Sequence, residues 1–356
     1  MKIWLDLRFI NDDLYSDFVI ELTKSIITHQ ISKKFIIYTN QNLKWFDFSN
    51  CIIKKVLIKN NSIQEQIKFN KILKKDNNAL IIFFNHCKPI FYKWYYIILI
   101  STLKDIYYNN FSNYFHKYIF LYLLEKNLKK ANKIICFDKN TNNELIEKFN
   151  IKEQKINLIN WFFPNKNLLT SIENLKINIR IKYDLKNNYF IYSWWEWVEK
   201  NYEKLINVFY KLKKEWVNID LVILGRNISK NIPLRKLILK LNMQKNIHFI
   251  SVIKQNERIL LYKNSLWVLF PSFYEPFPFR LTEPLYYNTK IIASDLINIK
   301  EIFWNTITYF SPISVNNIYE IVKNNITLKN KKIDYNEIIN KYTTQKTTEQ
   351  IINIIN

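Results

Sequence analysis

Along most of the chain, short runs of Ile, Leu, Val, Phe and Tyr alternate with longer stretches in which apolar residues recur every three or four positions. Short apolar runs bounded by polar turns fit buried strands, and the longer amphipathic stretches fit helices that join them. The pattern predicts strands over residues 3–7, 35–38, 52–58, 79–84, 96–101, 133–137 and 156–159. Helices are expected over 14–29, 63–73, 114–130 and 140–149, the last capped by Asn140 or Thr141. Residues 163–187 hold Pro164 and little periodicity, which suggests a linker. The alternation then restarts, with strands over 189–192, 220–224, 247–250, 268–270, 290–293 and 306–310, and residues 336–356 read as a closing pair of helices. Such alternation belongs to an α/β chain built on parallel sheets with crossover helices.

At 356 residues the chain exceeds what one hydrophobic core usually fills, so two domains are expected, 1–165 and 166–335. Hydrophobic residues at 48% and charged residues at 23% are a globular balance and exclude disorder over most of the length. The net charge of +23 points to a polyanion, either nucleic acid, anionic lipid or a phosphorylated substrate. A second reading is equally open. Lys, Asn, Ile, Phe and Tyr are all abundant, all have A/T-rich codons, and a biased genome raises Lys with no partner involved. No nucleic-acid-binding motif accompanies the charge, so nucleic acid is not the expected partner. Cys51, Cys87 and Cys136 form no CxxC pair, which argues against a disulfide framework or a zinc site. Asp6 interrupts what a signal peptide needs as its apolar core, and the longest apolar run, 94–100, is far too short to span a bilayer. A cytoplasmic protein, at most peripheral on the inner face of the membrane, is expected.

Glycine usage changes the picture. The chain holds one glycine, Gly225, against ten tryptophans. Glycine serves positions of positive φ and close backbone approach, for which other residues are poor substitutes. Trp216 follows a helical run and precedes a strand, and Trp304 does the same, where a glycine C-cap is usual. Trp194, Trp195 and Trp197 crowd one strand-to-helix turn. These placements suggest UGA codons that the source organism reads as glycine.

The most informative chemistry lies in Pro271-Ser-Phe-Tyr-Glu275-Pro-Phe-Pro-Phe-Arg-Leu-Thr-Glu283. It follows a strand and runs into a helix, which the prolines place near Pro278. Glu275 then sits on the loop and Glu283 inside the helix. The amides of Phe279, Arg280 and Leu281 would lack intrahelical partners and form a site for a diphosphate, with the Arg280 charge beside it. A pair of glutamates alone is usually a solvated helix face; the strand–loop–helix setting is what argues otherwise.

This stretch resembles the E-x7-E motif of retaining, GT-B-fold glycosyltransferases of family 4, with Pro276 and Pro278 where the family has glycines. The resemblance implies two Rossmann-like domains facing a central cleft, with the C-terminal helix of 336–356 returning onto the first. It implies a hexosyltransferase that moves sugar from a nucleotide-diphosphate donor to a glycan or lipid-linked glycan with retention, using neither metal nor cofactor. By the same resemblance Glu275 contacts the donor sugar near the reacting centre and Glu283 binds the ribose hydroxyls. Tyr189-Phe-Ile-Tyr-Ser-Trp194-Trp195-Glu-Trp197-Val-Glu-Lys200-Asn201, with Trp read as Gly, is similar to the family's first donor-domain turn. Lys200 would reach the diphosphate, and the position of Trp195 would line the donor. In the first domain, Asn85-His86-Cys-Lys-Pro89 and Thr102-Leu-Lys104-Asp105 resemble two further family segments. Asp105 and Lys104 are therefore candidate catalytic residues, although Lys104 stands where the family has His. That departure supports a rival reading, a non-catalytic binding subunit of GT-B fold. No D-x-D pair is present, which argues against the metal-dependent GT-A class.

Overall fold

Strands buried on both faces of a parallel sheet read as continuous apolar runs, and this chain supplies them twice. The first sheet comprises β1 (Lys2–Asp6), β2 (Lys34–Thr39), β3 (Cys51–Lys55), β4 (Leu80–Phe83), β5 (Tyr96–Ile100), β6 (Lys133–Cys136) and β7 (Ile156–Leu158). The second comprises β8 (Asn188–Ser193), β9 (Ile219–Leu224), β10 (Ile247–Ile250), β11 (Val268–Phe270), β12 (Ile291–Ser294) and β13 (Thr308–Phe310). The computed structural model describes every residue except 1, 12–13, 42, 44–48, 59–61, 63, 77–79, 86–87, 104, 109–113, 165–176, 194–200, 226–230, 252–253 and 328–332, and only the backbone of 14, 105, 108, 115, 116 and 255.

All pairings in both sheets are parallel. Strand order is β3-β2-β1-β4-β5-β6-β7 in the first and β10-β9-β8-β11-β12-β13 in the second. Each expected strand has its counterpart, so the fold is two doubly wound α/β units. Inner strands such as Leu80–Phe83 and Ile219–Leu224 are buried along their whole length. The edge strand Cys51–Lys55 is not, and it stops before the expected residue 58. In both sheets the order reverses beside the first strand. A doubly wound sheet opens its ligand crevice at that switch point, beyond the carboxyl ends of the strands.

Two compact units divide the chain, residues 1–166 with 342–356, and residues 167–341. The returning segment is shorter than the expected 336–356. Helix Asn336–Lys341 stays with the second unit. Tyr335, just before it, is fully buried there and donates its hydroxyl to the carbonyl of Thr289 (3.2 Å). Helix Thr344–Ile355 belongs to the first unit, where it packs on Leu14–His29 and Thr348 Oγ1 donates to Ser25 Oγ (2.8 Å). Inside the expected linker, residues 179–182 form a helical turn, because the Asn178 side chain accepts from the Ile181 amide. Asp138, not Asn140 or Thr141, caps helix Lys139–Glu147 by accepting from the Thr141 amide (2.9 Å).

The helix ends show how a chain with one glycine closes its turns. Among the described residues, seven non-glycine positions have positive φ: Asn150, Asp184, Asn201, Asn242, Asn288, Trp216 and Trp304. Asn and Asp tolerate this region best after glycine. Asn242 and Asn288 sit at paired helix-end hydrogen bonds, and Trp216 sits at the same motif, with Trp216 N–H to Lys213 C=O (3.0 Å) and Val217 N–H to Leu212 C=O (3.1 Å). Trp304 adopts φ 46°, ψ −120°. Their indoles are 95% and 70% exposed, so packing does not compensate for the backbone. Trp267 is the opposite case: it is 2% exposed, belongs to the second unit's core and donates Nε1–H to the Asn325 carbonyl (2.8 Å). Trp194, Trp195 and Trp197 lie outside the described residues.

Candidate donor site

At the switch point of the second sheet, the carboxyl ends of β8 and β11 lie side by side. The chain leaves β11 through buried Pro271 and Ser272 and reaches Glu275, partly exposed, on the loop. Two asparagines hold this loop. Asn201, buried and with φ 57°, donates Nδ2–H to the carbonyls of Pro271 (3.1 Å) and Pro312 (2.8 Å). Asn298, from helix Ile297–Phe303, donates to the carbonyls of Glu275 (2.6 Å) and Pro276 (3.2 Å). These bonds satisfy carbonyls of the loop, and Ser272 Oγ lies 3.5 Å from Glu275 Oε2.

Beyond the prolines the chain turns through Phe279–Leu281 in a single 3-10 turn and then forms the short helix Thr282–Tyr286, which carries Glu283. This corrects the expected cradle of three open amides. Phe279 N–H donates to the Phe277 carbonyl (2.9 Å) and Leu281 N–H to the Pro278 carbonyl (2.8 Å). Pro278, at φ −82° and ψ 60°, does not start a regular α-helix, so the turn tightens and uses those donors itself. Two of the three expected amides are thus engaged within the turn itself.

Glu283 is held by a residue that the sequence did not single out. Arg258, on helix Gln255–Asn264, donates Nε–H to Glu283 Oε2 (2.6 Å) and Nη2–H to Oε1. Burial lowers the affinity of Arg258 for its proton, but the hydrogen bond and charge of Glu283 outweigh it and the pKa is raised. Arg280 lies in the same neighbourhood. Burial pushes it below the usual guanidinium value, Arg258 adds to that, and Tyr262 and Glu275 oppose it. Tyr262, on the Arg258 helix, joins these groups to the end of β8 through a hydrogen bond with Ser193. Burial, followed by the charge of Glu283, pushes its hydroxyl up to about 12.

Glu275, Glu283, Phe279, Arg280 and Leu281 thus share one loop and turn at the carboxyl edge of the second sheet. Lys200 and Trp195, together with Lys104 and His86, lie outside the described residues. Asp105 begins the short helix Asp105–Tyr108 of the first unit. Lys88, two positions after His86 in sequence, is buried with Nζ 4.3 Å from the Tyr96 ring centre, and burial pushes its pKa down to about 7. Among the described residues, no three His, Cys, Asp or Glu side chains gather as metal ligands would. The signal for Arg258 was absent from spacing, because an arginine on an amphipathic helix is ordinary until its partner is known.

Residues 178–345 match the family model of glycosyl transferases group 1. The match contains both glutamates and Arg258 and nearly fills the unit. The O-antigen chain mannosyltransferase RfbU of Salmonella typhimurium is 22% identical over 272 residues, covering 76% of this chain and 71% of the relative. A solved glycosyltransferase structure from Rickettsia africae superposes with TM-score 0.73 at 16% identity, over 99% of this chain and 97% of that one. Anabaena Alr3699/HepE, solved in complex with UDP and glucose, gives 0.74 at 14% identity over 100% and 99%. These likenesses establish the fold: two parallel-sheet α/β units of the GT-B type.

Proposed function

We propose that the chain transfers a hexosyl group from a nucleotide-diphosphate sugar to a glycan or lipid-linked acceptor, with retention at the anomeric carbon and without a metal. The observation that carries this reading is the Glu275–Glu283 loop and turn at the switch point of a unit matched to glycosyl transferases group 1. The UDP and glucose of the Anabaena structure and the mannosyl transfer named for the Salmonella relative support the donor class. In the proposed reaction the bond from the sugar's anomeric carbon to the diphosphate breaks through an oxocarbenium-like state, and the acceptor oxygen attacks from the same face. Charge on the departing diphosphate is met by Arg280 and, as the sequence resemblance implies, by Lys200. Glu275 contacts the sugar and Glu283 the ribose. Proton NMR of the product formed from a nucleotide sugar of known anomeric configuration tests this. The donor's configuration should be kept, at a rate unchanged by EDTA. An inverted product would refute retention, and a rate abolished by EDTA and restored by a divalent cation would refute the metal-free part.

Contact with an anionic membrane is proposed for the first unit. No described helix is long and apolar enough to cross a bilayer. Helix Tyr114–Lys130 instead exposes Tyr114, Tyr118 and Tyr122 at 93%, 70% and 45%. Spaced by four, they form a stripe. Tyrosine suits the headgroup layer, and Lys126, Lys129 and Lys130 follow on the same helix. Lys129 and Lys130 end that helix just before β6, Lys74 and Lys75 end a helix before β4, and Lys33 and Lys34 precede or open β2. All six therefore lie at the amino edge of the first sheet, whereas Lys68 and Lys71 lie further back along their helix. At about 1 kcal/mol per surface lysine, such a band suffices for reversible docking. Co-sedimentation should show binding to phosphatidylglycerol vesicles that fades with salt and weakens in Tyr118→Ser. Equal binding to neutral and anionic vesicles, or none to either, would leave codon bias as the source of the charge.

A further inference from the structure

Arg258 has no task in the reaction just described, yet it grips Glu283 at two points. Its two-point grip occupies one direction on each oxygen of Glu283, and a carboxylate oxygen accepts along two. One acceptor direction per oxygen is left, side by side in the carboxylate plane. That arrangement matches two vicinal hydroxyls, which is what a ribose presents. A glutamate without such a grip turns broadly about its last torsion, so its plane is not fixed. The helix bearing Arg258 does not depend on this bond for its own position. Glu257, its buried neighbour, accepts from Lys182 Nζ (2.7 Å) and Tyr183 Oη (2.6 Å), and Tyr189 Oη donates to the Leu261 carbonyl (2.8 Å). Ile259 and Leu261 are fully buried.

We infer that Arg258 is a positioning residue for donor recognition, fixing the plane of the Glu283 carboxylate so that its remaining acceptor directions meet the 2′- and 3′-hydroxyls of the nucleotide's ribose. This rests on the donor reading of Glu283 given above. The competing account makes the pair a structural bridge between two helices, and the two differ in what they say about ribose against deoxyribose.

Calorimetry on the full chain with ADP, GDP and UDP selects the diphosphate that binds tightest, and that one is compared with its 2′-deoxy counterpart. The unaltered chain should prefer the ribonucleotide by about tenfold or more, the effect of a charge-assisted hydrogen bond. Glu283→Gln should bring the preference to within about twofold. Arg258→Met should do the same with a melting temperature close to that of the unaltered chain. Arg258→Lys, which keeps the charge but offers a point donor instead of a planar fork, should recover less than half of the preference. A full preference in Arg258→Met beside its loss in Glu283→Gln overturns the positioning role and leaves the ribose reading standing. A preference that survives Glu283→Gln overturns both. Should Arg258→Met unfold, Arg258→Lys decides, and an undiminished preference there overturns the role.

Discussion

Trp304→Gly and Trp216→Gly are each expected to stabilise the protein, although each deletes the largest side chain there is. Both residues hold positive φ, and both indoles lie mostly in water. A residue with a Cβ loses about 1–2 kcal/mol in the left-handed region, and strain in rarer regions, such as that of Trp304, runs to about 1–3 kcal/mol. Glycine returns about 0.5–1 kcal/mol of this as lost chain entropy. A net gain of about 1 kcal/mol per site follows, worth about 2–4 °C in melting temperature for a domain of this size. Trp267→Gly is the internal control. It removes a buried indole and its hydrogen bond to Asn325, and truncations of this kind cost about 3–5 kcal/mol. Thermal melts of the three variants check the pattern, and destabilisation by Trp216→Gly and Trp304→Gly would contradict it. We propose that the codons for Trp216 and Trp304 are read as glycine where the protein is made, and peptide masses of the native protein should show glycine at both. The same measurement reads Trp194, Trp195 and Trp197.

Glu283→Ala should weaken nucleotide-sugar binding by about 10- to 150-fold, the loss of about 1.5–3 kcal/mol carried by hydrogen bonds to a charged acceptor. The size follows from the site. The carboxylate is mostly buried, so water competes weakly for it, and its removal leaves the Arg258 guanidinium without the partner that raises its pKa. Part of the loss therefore reflects rearrangement of Arg258 as well as the lost contact.

Much of this was legible in the chain because strands buried on both faces leave unmistakable runs. Ile81-Ile82-Phe83 and Leu221-Val222-Ile223-Leu224 admit few other readings. Glu275 and Glu283 were legible because prolines on both sides of Phe277 fix where loop yields to helix. What stayed hidden depends on distant partners. The prolines tightened the turn that follows, so the amides of Phe279 and Leu281 bond locally, a geometry that a proline count does not distinguish from an open helix start. Arg258 gains meaning only when its helix is laid against Glu283, 25 positions on. Asn298 and its two carbonyls were hidden for the same reason. The return point of the chain was misplaced by six residues, at 342 instead of 336, because one tyrosine, Tyr335, keeps the first of the two terminal helices in the second unit.

The central claim is that the second unit binds a nucleotide-diphosphate sugar through the Glu275–Glu283 turn, and isothermal titration with UDP-, GDP- and ADP-sugars on the unaltered chain and on Glu283→Ala tests it most directly. The account predicts saturable binding of at least one of these donors to the unaltered chain and its loss by about 10- to 150-fold in the variant. Binding of none of them, or equal affinity in both proteins for whichever binds, would contradict it.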